Sequence, residues 1–276
     1  MIHIIGANGY IGTRLCKEME SAGLIFDCYS DVSDSKCAEF NLTESDCDSL
    51  DFCGGDVVVL LAAISSPDVC QNNYSLAYNV NVVGTSRLID YCLSRDVRVI
   101  FLSSDTVNGP TTSPKDEYST VEPFGNYARM KYEIELKYKN SSLFKTLRLS
   151  YVLSDSDKFV CYLKKCAQEH IVAEVFNGLY RNVIKLEIVL EAIIKLCLNF
   201  NFNDYYLVNV SGNQNLSRLD LAKWYKRNID HNLVYKEIEV PETILNGRPN
   251  IIETKSLFLE KLLNHKIDNL LSEGDF

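Results

Sequence analysis

The chain has 276 residues, 46% of them apolar and 24% charged, with a formal net charge of −9 and no basic block. That balance suits a folded globular protein, argues against nucleic acid as a partner, and leaves any anionic ligand to be met by local arginines. No apolar run is long enough to span a bilayer, so no membrane partner is expected. Ten cysteines are scattered without a CxxC pair, and the four histidines form neither HxxxH nor HExxH. Reduced thiols, a cytoplasmic location and no metal are therefore the expectation. Met1 runs directly into IHII, so no cleaved leader is expected.

In chain order, a strand at His3 to Ile5 meets Gly6-Ala-Asn-Gly9-Tyr-Ile-Gly12 and then the helical run TRLCKEMESAG. Glycines placed there permit a tight turn, close backbone approach to a pyrophosphate, and helix–strand contact. The loop is either a dinucleotide site or a plain connection. A second strand, Leu24 to Tyr29, ends at Ser30-Asp31. Asp31 is placed to bond the adenosine ribose, which favours NAD over NADP, or it is a turn residue. The stretch from Asp31 to Asp56 is ambiguous. Asp56 to Leu61 is a continuous apolar strand suited to burial on both faces, and Ala62-Ala63 at its tip leave room for a cofactor. The run SLAYNVNVVGTSRLIDYCLSRD reads as a helix.

Val97 to Phe101 is a strand that delivers Ser103, Ser104 and Asp105 at its carboxyl end. Tyr127 and Lys131 share one face of a helix that continues to about Lys139. A lysine one turn from a tyrosine favours phenolate, and a serine hydroxyl can bond the same substrate oxygen. Ser104, Tyr127 and Lys131 thus make a proton donor–acceptor for an alcohol/ketone pair. Phe144 to Leu149 is the next strand; Ser150 and Tyr151 after it line a nicotinamide face or simply pack. Residues 154–181 carry polar turns and a helix FVCYLKKCAQEH. Then come an amphipathic helix IKLEIVLEAIIKLCL, a strand YYLVNV, a helix N-capped by Ser217, and a leucine-rich helix from Leu257 to Leu263. Arg181, in the turn LYRNVI, and Arg248 are candidates for a diphosphate or are surface arginines. Asp105 bonds a substrate hydroxyl or caps the next turn.

The fold class is α/β, a doubly wound parallel sheet with a small C-terminal α/β unit. The expected division assigns residues 1–152 with about 182–210 to cofactor binding. About 153–181 with 211–276 falls to the substrate side.

GANGYIG, LLAA, NVVGT, LSSDTVNG and NYARMK together resemble the extended short-chain dehydrogenase/reductase superfamily over essentially the whole chain. The resemblance implies a Rossmann domain with NAD(P)(H), a nucleotide-sugar substrate, and Ser104, Tyr127 and Lys131 as triad. It also implies cofactor contacts from Tyr10, Ile11, Asn41, Leu42, Asn81 and Ser103, and substrate contacts from Ser65, Asp68 and Thr106. Dimerisation through the helices bearing Asn81 and Tyr127 is common in the superfamily. Thr106 lacks the glutamate of sugar-nucleotide dehydratases, and Asp105 departs from the epimerases of the UDP-galactose type. Asp105, Glu39-Phe40-Asn41, Ala62-Ala63 with Asp68, and Arg248-Pro249 are most similar to dTDP-4-dehydrorhamnose reductases. A reductase of a keto nucleotide sugar, the 4-keto form foremost, in deoxysugar or surface-polysaccharide synthesis is the implied function. The rivals are a nucleotide-sugar epimerase holding NAD tightly and a non-catalytic cofactor-binding regulatory subunit.

Overall fold

A computed structural model describes residues 1–32, 36–201 and 205–271. Its first half alternates strand and helix: β1 (Ile2–Ile5), α1 (Tyr10–Ser21), β2 (Phe26–Ser30), β3 (Ala38–Glu39), β4 (Val57–Leu60), α2 (Pro67–Asn72), α3 (Tyr74–Tyr78), α4 (Thr85–Ser94), β5 (Arg98–Ser104), α5 (Asn126–Tyr138) and β6 (Phe144–Leu149). The second half is finer-grained. It runs β7 (Tyr151–Leu153), α6 (Lys158–Gln168), β8 (Ala173–Phe176), β9 (Tyr180–Lys185), α7 (Leu186–Leu198), β10 (Leu207–Val210), β11 (Asn215–Leu216), α8 (Arg218–Asn228), β12 (Tyr235–Ile238), α9 (Glu242–Leu245), β13 (Ile251–Ile252) and α10 (Leu259–Leu263).

Seven parallel strands form the central sheet in the order β3-β2-β1-β4-β5-β6-β10. Every residue of VVVL in β4 is buried, as a strand covered on both faces requires. One face packs Leu15, Met19, Val189 and Ile193 of α1 and α7; the other packs Leu88, Ile89, Met130 and Ile134 of α4 and α5. Strand order reverses between β1 and β4, and in such sheets the crevice beyond the strands' carboxyl ends at that point takes ligand. β1 delivers the glycine loop there.

Three features depart from expectation. The helix expected after Ala63 is one rod with a π turn at Asn79–Gly84 joining α3 to α4. Gly84 is needed there, because a Cβ would lie 2.5 Å from the Leu42 carbonyl oxygen. Arg181 sits in strand β9 and not in a turn; β9 pairs with β7, β11 and β13 outside the central sheet. Those partners lie about 30 to 70 residues away in sequence, beyond what a local pattern reports. The expectation of wholly reduced thiols is also corrected, since Cys28 and Cys37 are joined by a disulfide with Cα atoms 4.8 Å apart. The register Tyr29↔Ala38 between β2 and β3 brings the preceding pair face to face.

Candidate active site

The glycine turn is built as its spacing implied. Gly6 has φ of +91°, and a Cβ on it would meet the Ala62 amide nitrogen at 2.6 Å. Only glycine lets the turn lie against the tip of β4. A Cβ on Gly12 would strike the Gly6 carbonyl oxygen, so that glycine sets the contact of α1 with the turn. Gly9 stands at the N-cap of α1 without a side-chain cap, leaving the helix's first N–H groups to an external acceptor. Asp31, exposed past the end of β2, accepts from Asn8 Nδ2 at 3.0 Å and so faces the same turn. These groups fit a dinucleotide: a cradle with no room for side chains, a free helix N-terminus, and a carboxylate for ribose hydroxyls.

The remaining expected cofactor residues are placed variously. Tyr10 donates to Ser154 Oγ at 2.8 Å, joining the turn to the segment after β7, while Ile11 packs into the core. Ala62 and Ala63 lie half-buried at the β4 tip. Asn41 caps its own turn through Thr43 N at 2.9 Å, and the Leu42 carbonyl accepts from Arg87 at 2.6 Å. Asn81 is buried in the π turn and clamps Ile64 from both sides, accepting from Ile64 N at 2.8 Å and donating to Ile64 O at 2.9 Å. That clamp holds the loop following the alanines. Ser103 is buried, and its hydroxyl has no hydrogen-bond partner among the described residues. Ser150 is buried and donates to the Asn182 carbonyl.

The three catalytic candidates converge where β5 ends against α5. Lys131 is 4% exposed, donates to the Leu102 carbonyl at 2.8 Å, and lies 5.9 Å from the centre of the Tyr127 ring. Burial lowers its pKa to about 8, with Glu135 and Cys70 pulling the other way. Glu135, one turn on, is locked by a buried ion pair with Arg148 of β6 at 2.5 Å. Burial also pushes the Tyr127 phenol above its ordinary value, and Cys70 and Asp105 add to this. The expected lowering of the phenol by Lys131 is therefore not found. The ammonium is turned to the Leu102 carbonyl, and desolvation of the ring dominates.

Ser104 Oγ accepts from Thr106 N at 3.2 Å and from Thr106 Oγ1 at 3.0 Å, and donates to Asp105 Oδ1 at 3.4 Å. Asp105 is 4% exposed. Burial raises its carboxyl above the usual range against the pull of Arg181 and of the Ser150 and Ser104 hydroxyls. The site therefore assembles two weakly acidic groups held towards their protonated forms beside a serine hydroxyl.

Arg181 lies within electrostatic reach of Asp105. Arg181 is spoken for by backbone carbonyls, donating to Tyr180 and Pro249 at 2.7 Å and to Asn250 at 3.3 Å. Arg248 forks onto Asp68 with both bonds at 2.7 Å, so two expected substrate residues satisfy each other. Ser65 is exposed between β4 and α2. A third arginine escaped the sequence reading. The Arg218 guanidinium lies 4.1 Å from the Tyr151 ring centre and 4.7 Å from that of Phe159. Arg218 and Arg248 both depress the Arg181 pKa after burial, which places the three charges within electrostatic reach. Its only sequence signal was its position just inside the Ser217 cap, on a helix whose partners are distant in sequence.

A glycine-cradled turn at the switch point of a parallel sheet, with Ser104 at the end of β5 and Tyr127 and Lys131 on α5 beside it, defines a Rossmann protein of the extended short-chain dehydrogenase/reductase type. The chain belongs to the NAD dependent epimerase/dehydratase family, which it matches over residues 2–154. NAD is that family's cofactor, in keeping with the glycine turn. Among curated relatives, the N-acetyl-alpha-D-glucosaminyl-diphospho-ditrans,octacis-undecaprenol 4-epimerase of Escherichia coli O157:H7 is 36% identical over 141 residues. That match takes in 48% of this chain and 40% of the relative, so the chain spans well under half of it. Likeness of fold extends further. A UDP-glucose-4-epimerase from Stenotrophomonas maltophila, solved with bound NAD, has a TM-score of 0.81 at 17% identity, covering 97% of this chain and 93% of that one. A dTDP-4-dehydrorhamnose reductase from Clostridium acetobutylicum has a TM-score of 0.79 at 19% identity, covering 96% and 92%.

Proposed function

We propose that this chain reduces a keto group, at the 4-position by the resemblance of its motifs, on a sugar carried by a nucleotide diphosphate. The observation that supports the reading is geometric: Asp105, buried at the end of β5, shares a hydrogen bond with Ser104 beside the Tyr127–Lys131 helix, where the motifs of the UDP-galactose-type epimerases depart. NAD(P)H, seated by Gly6, Gly9, Gly12, Asp31 and Lys131, supplies the hydride. Ser104 and Tyr127 hydroxyls donate to the substrate carbonyl oxygen and polarise it. As negative charge grows on that oxygen, Tyr127 transfers its proton and the product leaves as an alcohol. The phenolate, with the Lys131 ammonium 5.9 Å from its ring centre, regains a proton from solvent. Asp105, kept neutral, donates to a sugar hydroxyl. The layer from 153–181 and 211–271 serves as the substrate side, where Arg181, Arg218 and Arg248 meet the diphosphate.

An epimerase with retained NAD is the second reading, favoured by the name of the E. coli relative, whose substrate is carried on a lipid diphosphate. One experiment separates them: cofactor released from denatured, freshly purified protein is quantified, and NAD(P)H consumption is then followed with keto-sugar nucleotides. Low retention with stoichiometric reductant consumption supports reduction. Stoichiometric NAD without net consumption supports epimerisation. If Tyr127→Phe leaves consumption intact, the mechanism above is wrong; if no turnover occurs at all, a binding subunit is the better description.

A further inference from the structure

One end of the small C-terminal layer combines two features that the active site does not use. β8 and β12 pair in parallel, Ala173 opposite Tyr235, with the Ala173 amide on the Val234 carbonyl at 2.8 Å. The residues entering the two strands are therefore neighbours: Ile171 and Val172 on one, Val234 on the other. Each is large, apolar and at least half exposed, at 50%, 50% and 54%. Ile229, 59% exposed, sits in the same connection that feeds β12. Leu233, between them, is fully buried, so the loop is anchored and presents its apolar side chains outward. Single exposed aliphatics are ordinary, but a group gathered at one tip is not.

The surroundings of this tip are cationic in a chain that is anionic overall. Segments 164–174 and 223–237 hold six cations, Lys164, Lys165, Lys223, Lys226, Arg227 and Lys236, against four carboxylates, Glu169, Glu174, Asp230 and Glu237, a local excess of positive charge. All six cations are exposed. Lys223, Lys226, Arg227 and His231 line one groove with Tyr235, of about 500 Å³. With a net charge of −9 for the whole chain, this concentration is a local dipole, not a general property of the surface.

We propose that this tip docks the protein peripherally on an anionic lipid surface, its aliphatic residues entering the headgroup boundary and its cations pairing with lipid phosphates. Among the described residues no helix is long and apolar enough to cross a membrane, and the contact proposed for this tip is a peripheral one. An apolar tip alone would equally suit a second copy of the chain. The cationic rim decides against that occupant, because two identical rims would face each other and repel, whereas an anionic surface complements them.

The test is flotation of the full-length protein with vesicles of phosphatidylcholine alone and of mixed phosphatidylcholine and phosphatidylglycerol. Binding is expected only to the mixed vesicles, and to fall with added salt. Lys223→Glu with Lys226→Glu should weaken partitioning by at least about fivefold per lysine. Val234→Glu should weaken it too, with the circular dichroism spectrum unchanged in both variants. Failure of the unaltered protein to float with mixed vesicles overturns the proposal, as does equal binding to neutral ones. So does retention of binding by the lysine variant. A shift in sedimentation coefficient for Val234→Glu, without any vesicle binding, would assign the tip to self-association instead.

Discussion

Two groups of side chains in the candidate site are built on opposite principles. On the triad side, Lys131 and Asp105 are buried with sparse hydrogen bonding, and burial displaces the titration of Lys131, Asp105 and Tyr127 from ordinary values. On the arginine side, Arg181 and Arg248 are already engaged by carbonyls and by Asp68. In the proposed reduction, the first group is where desolvation would bear on proton transfer. For the second to hold the proposed diphosphate, these bonds would be shared or exchanged, which would tie binding to local rearrangement. Under the proposed function, reactivity would come from desolvated groups, and selectivity from groups that must be released.

The hardest break is Tyr127→Phe. It removes the proton donor while keeping the ring, so turnover should drop about 10²–10⁴-fold with NAD(P)H binding retained, as read by steady-state kinetics and fluorescence titration. Undiminished turnover would refute the contrast at its centre. Glu135→Gln attacks the support beneath Lys131. It leaves Arg148 buried without its counter-ion, and a loss of about 3–5 kcal/mol in chemical unfolding is expected. A change under 1 kcal/mol would mean the pair is structurally idle.

Lys131→Met sharpens the comparison by separating function from stability. Lys131 titrates at about 8 in the folded chain against an ordinary 10.5, so the unfolded chain binds more protons between those values and stability rises with pH across that window. At neutral pH the charged lysine is a liability on the order of 2–3 kcal/mol before its hydrogen bond to Leu102 is counted. The methionine variant should therefore lose activity yet melt no lower than the parent at neutral pH, with any advantage shrinking as pH climbs. In the parent, activity should fall as pH passes about 8 and the ammonium is lost. The smallest effect belongs to the other group. Asp68→Asn removes a largely exposed ion pair, changing stability by less than about 1 kcal/mol. It also releases Arg248, so the substrate KM should fall; a large rise would show that Asp68 itself holds the ligand.

Much of the first half was legible because its signals are local. GANGYIG lies between a strand and a helix, VVVL reads as doubly buried, and Tyr127 and Lys131 share a face by helical spacing alone. The Phe144 to Leu149 strand falls where its apolar pattern put it, and the cap at Ser217 is a full capping box with Asp220. The sequence by itself therefore determined the central sheet, the glycine turn and the positions of the three candidate catalytic side chains. Only the tertiary structure decided the rest. Arg181 lies in a strand because β7, β11 and β13, far off in sequence, supply its ladder. Asp68 and Arg248, 180 residues apart, meet because α2 and the segment after α9 pack together. Cys28 meets Cys37 through the β2–β3 register, and the phenol of Tyr127 is raised by burial that no i to i+4 spacing reports. Covalent neighbours and helical period act over a few residues, whereas burial and long-range pairing are properties of the whole fold.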